Sequence, residues 1–302
     1  MAGRDLAVIV SACRTAIGSF GGTLKDVSAP QLGAVVVRQA LARAGVDPAE
    51  VNDVLLGCVL QGGAGMNVAR QAAILAGVPK EVPAQTVNRV CGSGLQSVAH
   101  AVEAIQLGYA HTVVAGGTES MSNAPYVLTG ARWGYRMGHG EALDTLLYEG
   151  LTCAIEHYHM GITAENVAER FGVSRADQDA FGAESQRRAA AAIAAGVFRD
   201  EIVPVEIPQK KSASVVFDTD EYPRAGTTVD KLAALKPAFK KDGTVTAGNA
   251  SGISDGASAT VVMSVERAAQ QGKTPLARIK SFTVSGVEPA DRKSTRLNSS
   301  HT

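Results

Sequence analysis

The apolar residues of positions 1–118 alternate between short runs and helical spacing. Short apolar runs with the length of buried strands occupy four segments: Leu6–Cys13, Asp53–Gln61, Thr86–Val90 and Thr112–Ala115, the last closed by Gly116-Gly117. Between them, apolar residues recur at helical spacing in three segments: Gln31–Ala44, Asn67–Ala76 and Leu95–Gly108. This alternation of strands and helices predicts an α/β fold with a mainly parallel sheet and helices packed on it.

The alternation fades over residues 119–248. This segment joins loop-rich sequence to a polar stretch that prolines interrupt, so we expect an inserted loop domain over one edge of the sheet. Within it, two helical patterns cover Ala164–Phe171 and Ala176–Ala195.

The α/β pattern returns after the predicted insertion. A strand pattern covers Ala259–Val265, a short helix covers Glu266–Gln271, and Leu276–Val287 begins one more strand. Residues 1–118 and 249–272 are therefore predicted to form one α/β domain.

The final residues, Asp291–Thr302, follow neither pattern. Their sequence, DRKSTRLNSSHT, has no apolar periodicity, and it resembles the translation of a common sequencing-adapter oligonucleotide. We expect these residues to be a non-native tail, and we exclude them from the prediction of the fold.

The composition is that of a globular protein without an excess of charge. Hydrophobic residues make up 45% and charged residues 19% of the 302 positions, so the chain can bury a sizeable core. Lysine plus arginine and aspartate plus glutamate both number 29, which argues against nucleic acid or an anionic membrane as partner. No apolar run reaches the ~20 residues that span a bilayer, and the N-terminus lacks a signal-peptide layout. We expect a cytoplasmic protein.

The four cysteines differ in their positions within this pattern. They form no Cys-x-x-Cys pair, so we predict no zinc or other metal site and no disulfide framework. Cys13 and Cys58 fall within predicted strands and are interpreted as small core residues. Cys91 instead stands between a predicted strand and a predicted helix, and Gly92-Ser93-Gly94 follows it.

A cysteine at such a junction has the surroundings of a nucleophile. The first turn of a helix presents the positive end of the helix dipole and unpaired backbone N–H groups, which favour a thiolate and can stabilise an oxyanion. The small residues after Cys91 let a substrate carbonyl approach the backbone closely. On these residues alone, a buried structural cysteine stays open as the alternative.

Five motifs, in order along the chain, are similar to those of the thiolase family. They are RTAIGSFGGTL at Arg14–Leu24, VNRVCGSGL around Cys91, AGGTESMSNAPYVL at Ala115–Leu128, HMGITAENVA at His159–Ala168 and PAFKKDGTVTAGNASGISDGASA at Pro237–Ala259. The resemblance runs to about Ala290, and GARWGYRMGHGEALDTLLYEGL most resembles the acetyl-CoA C-acetyltransferases, the short-chain branch of the family. It implies the layered αβα thiolase fold with a loop and helix insertion.

The resemblance also implies a chemistry for Cys91. In the family, the matching cysteine takes an acetyl group from acetyl-CoA as a thioester and passes it to the α-carbon of a second acetyl-CoA. The products are acetoacetyl-CoA and CoA, and the reverse reaction is thiolysis. Coenzyme A enters as the thioester substrate, and no other cofactor is implied. The residues that match the family's coenzyme A site are Leu151, His159, Met160, Arg224, Phe239, Ala247 and Ser251.

The printed sequence departs from the family pattern in one respect. The family places a histidine in Gly-His-Pro, a second cysteine in Cys-x-Gly-Gly and an asparagine in Asn-Glu-Ala-Phe, and none of these motifs occurs here. Residues 273–290 are therefore interpreted as the first strand of a truncated C-terminal domain, with the second repeat of the fold mostly missing. We expect the chain as printed to be inactive.

Other functions stay open. A thiolase of broader chain length, or a non-catalytic coenzyme A-binding fragment, would keep the same motifs. A ketoacyl synthase would share the cysteine geometry but not the stretches GGTESMSNAPY and GNASG. A cysteine hydrolase would need a histidine paired with Cys91, and His100, His111 and His139 carry no motif. By family resemblance we also expect a homo-oligomer, either a dimer or a tetramer.

Overall fold

The chain folds as two compact units. A computed structural model describes residues 7–209 and 213–291. The first unit comprises residues 7–127, 199–209, 213–221 and 253–283, and the second comprises residues 128–198, 222–252 and 284–291. No helix in these described ranges is long and apolar enough to cross a membrane.

The secondary structure follows in chain order. The strands are β1 (Ala7–Thr15), β2 (Gly18–Ser19), β3 (Asp53–Gly57), β4 (Ala84–Val87), β5 (Thr112–Ser120), β6 (Tyr126–Val127), β7 (Leu143–Asp144), β8 (Ile202–Val203), β9 (Val205–Ile207), β10 (Val215–Phe217), β11 (Ser254–Met263) and β12 (Ala277–Ile279). The α-helices are α1 (Ala29–Ala44), α2 (Val68–Leu75), α3 (Ser93–Gln106), α4 (Met160–Phe171), α5 (Arg175–Ala194), α6 (Val229–Ala233) and α7 (Val265–Gln270). A π-helix covers Leu146–Leu151, and 3-10 turns cover Pro48–Glu50, Met121–Asn123 and Pro289–Asp291.

The first unit is built on one mixed sheet with the strand order β12-β1-β11-β5-β3-β4. β3 is parallel to both β4 and β5, as the alternation of strands and helices predicted. β11 is antiparallel to β5 and to β1, with Ala259 opposite Gly116 and Cys13, so the prediction of a mainly parallel sheet is wrong on this side. β11 follows residues of the second unit instead of a strand–helix crossover, and such a connection does not require a parallel strand.

Helices cover both faces of this sheet. Side chains of β3 alternate between the faces: Val54 and Leu56 join the core under α1 and α2, whereas Leu55 joins the core under α3. Helix α1 shows how local sequence sets these elements. At the start of this helix, the Gln31 side-chain oxygen accepts the Ser28 N–H at 2.9 Å. The helix ends at Gly45, whose φ is +58°. The predicted αβα layering is confirmed.

Two strand boundaries differ from the prediction. β5 continues through Gly116-Gly117 to Ser120 and does not end at these glycines. The glycine at position 116 has a different cause: a Cβ atom there would lie only 2.0 Å from the Ser258 carbonyl oxygen of β11. Gly116 therefore permits the close approach of β11, and neither glycine ends the strand. The strand expected to begin within Leu276–Val287 covers only Ala277–Ile279.

The predicted insertion, residues 119–248, contributes to both units. β8 runs parallel to β1, with Arg14 opposite Ile202. The Arg14 guanidinium binds both carboxylate oxygens of Asp220, at 2.7 and 2.9 Å, and one of Glu201 at 2.7 Å. These contacts hold residues 199–209 and 213–221 within the first unit, while the assignment of the insertion and of the other domains stays a prediction.

Most of the predicted non-native tail lies outside the described residues, which end at Asp291. Asp291 itself closes the turn Pro289–Asp291, and its carboxylate pairs with Arg170 of α4. Residue 291 therefore belongs to the folded second unit.

Candidate active site

Cys91 lies in the turn that joins β4 to α3, and it is exposed. Helix α3 begins at Ser93, so the thiol stands at the N-terminal end of a helix, as the sequence pattern predicted. The Gly92 N–H donates to the Arg89 carbonyl oxygen and the Ser93 N–H donates to the Val90 carbonyl oxygen, both at 3.0 Å. These two amides are engaged within the turn, in contrast to the expectation of unpaired donors.

The residue before Cys91 has a left-handed backbone. Val90 has a φ of +48°, a conformation that β-branched residues rarely adopt and that costs about 1–3 kcal/mol. The Asn88 Oδ1 accepts the Val90 N–H at 2.9 Å. The hydroxyl of Ser93 accepts the Arg89 N–H at 2.8 Å and donates to the Val90 carbonyl oxygen. Because Ser93 is buried, these bonds anchor the turn to the first residue of α3.

The first turn of α3 rests directly on the backbone of two strands. A Cβ atom at Gly57, the last residue of β3, would lie 2.4 Å from the backbone nitrogen of Gly94. A Cβ atom at Gly117 of β5 would lie 3.3 Å from the Cα atom of Gly94. The Ser97 hydroxyl lies 2.7 Å from the Gly94 carbonyl oxygen and equally far from a carbonyl oxygen of β5. The absence of side chains at these glycines therefore allows the helix end beside Cys91 to lie against the sheet.

The other two cysteines of the first unit are buried, which confirms their interpretation as core residues. Burial raises the pKa of Cys13 to about 11, against the opposing effect of the Arg43 charge. Burial also raises the pKa of Cys58, and the Glu119 carboxylate, 3.4 Å from its sulfur, raises this pKa further. Both thiols therefore stay protonated near neutral pH, which leaves Cys91 as the accessible cysteine of this unit.

The histidines do not complete a hydrolase-like pair with Cys91. The His100 Nδ1 lies 2.8 Å from the Glu103 carboxylate, and its Nε2 lies 3.3 Å from the Gln96 amide nitrogen, so both ring nitrogens interact along α3. Within residues 7–209 and 213–291, no hydrogen bond joins the Cys91 thiol to a histidine. The geometry therefore does not support the cysteine hydrolase alternative.

Two residues predicted to bind coenzyme A are in contact in the second unit. The imidazole of His159 stacks on the ring of Phe239, with centroids 4.7 Å apart and planes inclined by 17°. His159 precedes α4, and its Nδ1 accepts the Gly161 N–H at 2.9 Å, so the neutral ring carries its proton on Nε2. A Cβ atom at Gly161 would lie 2.2 Å from the Phe239 ring, which explains the glycine at this position.

Leu151 and Met160 flank His159. Leu151 ends the π-helix, and the next residue, Thr152, pairs with His159 in an antiparallel bridge. Met160 is the first residue of α4. Both side chains are partly buried. The structure therefore brings Leu151, His159, Met160 and Phe239, four of the predicted coenzyme A residues, into one region of the second unit.

The remaining predicted residues lie on loops of the same unit. Arg224 is exposed, and its backbone N–H donates to the Gln186 amide oxygen at 2.7 Å. Ala247 and Ser251 are exposed on the loop that leads to β11. Asn249 lies between them and was not predicted to have a role, although an asparagine among glycine and alanine residues is typical of a side chain that organises a turn.

Asn249 holds this loop together. Its Oδ1 accepts the Thr246 N–H at 2.7 Å, and its Nδ2 donates to the Asp179 carboxylate of α5 at 2.9 Å. Asp179 is buried. The loop that carries Ala247 and Ser251 is therefore tied to a helix through a buried carboxylate.

Comparisons with known proteins agree with this architecture. The family profile described as "Thiolase, N-terminal domain" matches residues 7–266. An acetyl-CoA acetyltransferase of Pseudomonas aeruginosa is 56% identical over 94% of this chain and 72% of its own length. One of Cupriavidus necator is 57% identical over 93% of this chain and 72% of its own length.

A solved structure shows the same fold. The crystal structure of the Bacillus anthracis acetyl-CoA acetyltransferase superposes with a TM-score of 0.92 at 47% sequence identity, covering 95% of this chain and 72% of that one. Because these matches run through nearly the whole of this chain, they give no support to the expectation of a truncated chain with a foreign tail.

Proposed function

Because the chain belongs to the thiolase family, we propose that it acts as an acetyl-CoA C-acetyltransferase through an acetylated Cys91. The observation that carries the proposal is the exposed thiol at the N-terminal end of α3, on a turn that the buried Ser93 hydroxyl holds in a strained conformation. Strain of this kind is concentrated at functional sites. A nucleophile beside a helix N-terminus also benefits from the positive end of the helix dipole.

In the first step, the Cys91 sulfur attacks the carbonyl carbon of acetyl-CoA. A carbon–sulfur bond to Cys91 forms, the bond to the CoA sulfur breaks, and the thiol proton passes to the departing CoA thiolate. One thioester replaces another, so the two sides of this step are close in free energy. The positive end of the α3 dipole stabilises the negative charge that develops on the Cys91 sulfur.

In the second step, a general base removes an α-proton from another acetyl-CoA. The resulting carbanion attacks the carbonyl carbon of acetyl-Cys91, a carbon–carbon bond forms, and the bond to the Cys91 sulfur breaks. The base then returns the proton to the Cys91 thiolate, so the products are acetoacetyl-CoA and the free cysteine. The expectation that the chain is inactive concerns the complete reaction, which needs this base, and it stays a prediction. Thiolysis of acetoacetyl-CoA by the purified chain tests it.

The residues of the second unit suit coenzyme A in their chemistry. Apolar and aromatic side chains favour the pantetheine arm, a hydroxyl can bond one of its amides, and an exposed guanidinium favours the phosphates of the nucleotide end. We assign these contacts to Leu151, His159, Met160, Phe239, Ala247, Ser251 and Arg224.

Label exchange between CoA and acetyl-CoA tests the first step alone, because it needs no second acetyl-CoA. We expect the unmodified chain to move label from CoA into acetyl-CoA and Cys91→Ala to show no exchange above background. The matched control is Cys153→Ser, which alters a partly exposed cysteine of the second unit and should retain exchange. Binding of CoA without exchange would contradict the proposal and favour a non-catalytic coenzyme A-binding protein.

Two finer properties are also proposals. Exchange rates measured with acyl-CoA of increasing length should favour acetyl, whereas equal rates would favour a thiolase of broader chain length. A homo-oligomer, either a dimer or a tetramer, is expected, and size exclusion with light scattering tests it.

A further inference from the structure

Helix α5 buries a single residue, and that residue is charged. Of the twenty residues of α5, all within the described part of the chain, only Asp179 is buried. A helix that packs for stability alone buries a stripe of apolar side chains. A buried carboxylate is costly unless it is paired and hydrogen-bonded, so its presence calls for a role besides packing.

Asp179 connects two elements through its two oxygens. One oxygen accepts from the Arg175 Nε at 2.6 Å, and the other accepts from the Asn249 Nδ2 at 2.9 Å. Arg175 also donates to the carbonyl oxygens of Leu232 and Leu235, at 2.7 and 2.9 Å. The carboxylate is therefore held by a guanidinium that is itself fixed to α6 and the residues after it, and it presents its second oxygen to the loop.

Asn249 connects Asp179 to the backbone of the loop by hydrogen bonds. Its Oδ1 accepts the Thr246 N–H at 2.7 Å, and its Nδ2 lies 3.2 Å from the Thr244 carbonyl oxygen. The neighbouring Gly248 lies so close to α6 that a Cβ atom there would be 2.5 Å from the Leu232 Cδ2. The loop is therefore held both by the hydrogen bonds of Asn249 and by close packing of Gly248 against α6.

We propose that Asp179 is a positioning residue for the coenzyme A-binding loop. Acting through Asn249, it holds the backbone in the conformation that presents Ala247 and Ser251 to the pantetheine arm of the thioester. The inference rests on the proposed function and extends it, since it assigns Asp179 to binding of the substrate and not to transfer of the acetyl group. The Asp179 carboxylate is bonded to Arg175 and Asn249, so it acts on the substrate through the loop.

The test compares Asp179→Asn, Asn249→Ala and the double variant in the full chain. The matched control is Asp177→Asn on the same helix, since the Asp177 carboxylate bonds Ser174 in the N-terminal capping box. Calorimetry gives the dissociation constant for CoA, and label exchange gives the KM for acetyl-CoA and the maximal rate. The rate of Cys91 alkylation by iodoacetamide reports on the nucleophile in the first unit.

We expect Asp179→Asn to weaken CoA binding about tenfold, the effect of losing one charge-assisted hydrogen bond. The KM for acetyl-CoA should rise by the same factor, with the maximal rate and Cys91 alkylation unchanged. Asn249→Ala should have the same effects on CoA binding and on the KM. The double variant should bind CoA no more weakly than the weaker-binding single variant. Asp177→Asn should lower the melting temperature and leave CoA binding intact.

Three results would overturn the inference. The first is an unchanged dissociation constant for CoA in folded Asp179→Asn, and the second is a double variant in which the two effects multiply. The third applies if Asp179→Asn does not fold. Asn249→Ala leaves the Arg175–Asp179 pair in place, and unchanged CoA binding by this variant would then overturn the inference. An unmodified chain that binds no CoA would instead overturn the proposed function, and this inference with it.

Discussion

Replacing Gly57 by alanine should slow the chemistry of Cys91 about 100-fold while leaving the chain folded. A Cβ atom at Gly57 would lie 2.4 Å from the Gly94 nitrogen and 2.4 Å from the Ser93 carbonyl carbon. Ordinary contacts of a Cβ atom begin at 3.4 Å, so the backbone of the first turn of α3 must move by about 1 Å. That turn begins two residues after Cys91, and the thiol moves with it.

The two consequences of this shift are similar in free energy but differ in how visible they are in an experiment. Overpacking of this kind costs about 1–3 kcal/mol of folding free energy, which a domain with a stability of ~5–15 kcal/mol tolerates. A displacement of about 1 Å at a reacting atom can cost about 100-fold in rate. We therefore expect Gly57→Ala to fold, with a slightly lower melting temperature, and to exchange label between CoA and acetyl-CoA about 100-fold more slowly.

Gly33→Ala is the matched control. A Cβ atom at Gly33 of α1 would lie 3.0 Å from the Ala72 Cβ and 3.3 Å from the Leu56 Cδ1, so it overpacks the face of the sheet opposite α3. Melting temperature, label exchange and Cys91 alkylation are measured for both variants. Folded Gly57→Ala that keeps the exchange rate of the unmodified chain would contradict this expectation, and so would Gly33→Ala that slows exchange by the same factor.

Two further predictions concern the turn before α3 and the segment that returns to β1. Ser93→Ala removes the acceptor of the Arg89 N–H, so the free energy of unfolding should fall by about 1–3 kcal/mol in urea denaturation; a change below ~0.5 kcal/mol would contradict the anchoring role. For Asp220, burial raises the pKa, but hydrogen bonds from Arg14 and the Ile17 N–H outweigh it and lower the pKa below its ordinary value. A carboxyl group with a lower pKa in the folded chain contributes stability above its unfolded pKa of ~4 and loses it as the pH falls through the folded value. Asp220→Asn should therefore destabilise the chain near pH 7, and its difference from the unmodified chain should shrink below about pH 4; a difference that does not vary with pH would count against this explanation.

The elements of the first unit were predictable where their causes are local. Helix α1 has apolar residues at helical spacing, a capping box of Ser28 and Gln31 at its N-terminus, and Gly45 at its C-terminus. All of these signals lie in the one continuous segment from Ser28 to Gly45. The direction of β11 was not predictable, because it depends on where the chain returns from the second unit. The prediction that Gly116-Gly117 ends a strand was wrong because the approach of β11 to Gly116, from more than a hundred residues later in the chain, leaves no local signal.

The residues of the candidate site also fall into two groups, those that local sequence indicates and those whose partners are distant in sequence. Cys91 could be singled out because its glycine-rich turn and the following helix are contiguous in sequence. The contact of Gly57 with that turn joins separate elements, and the hydrogen bond from Asn249 to Asp179 spans 70 positions. Such residues become visible only when the fold brings their partners together, which is why the sequence assigned them no role.

Acetylation of Cys91 by acetyl-CoA is the most direct test of the central claim. The purified chain is incubated with acetyl-CoA and quenched in acid, and its peptides are analysed by mass spectrometry. We predict a mass increase of one acetyl group on the peptide that contains Cys91, its loss on addition of CoA, and its absence from Cys91→Ala. An unmodified Cys91, or an acetyl group found only on another residue, would contradict the claim that Cys91 is the nucleophile.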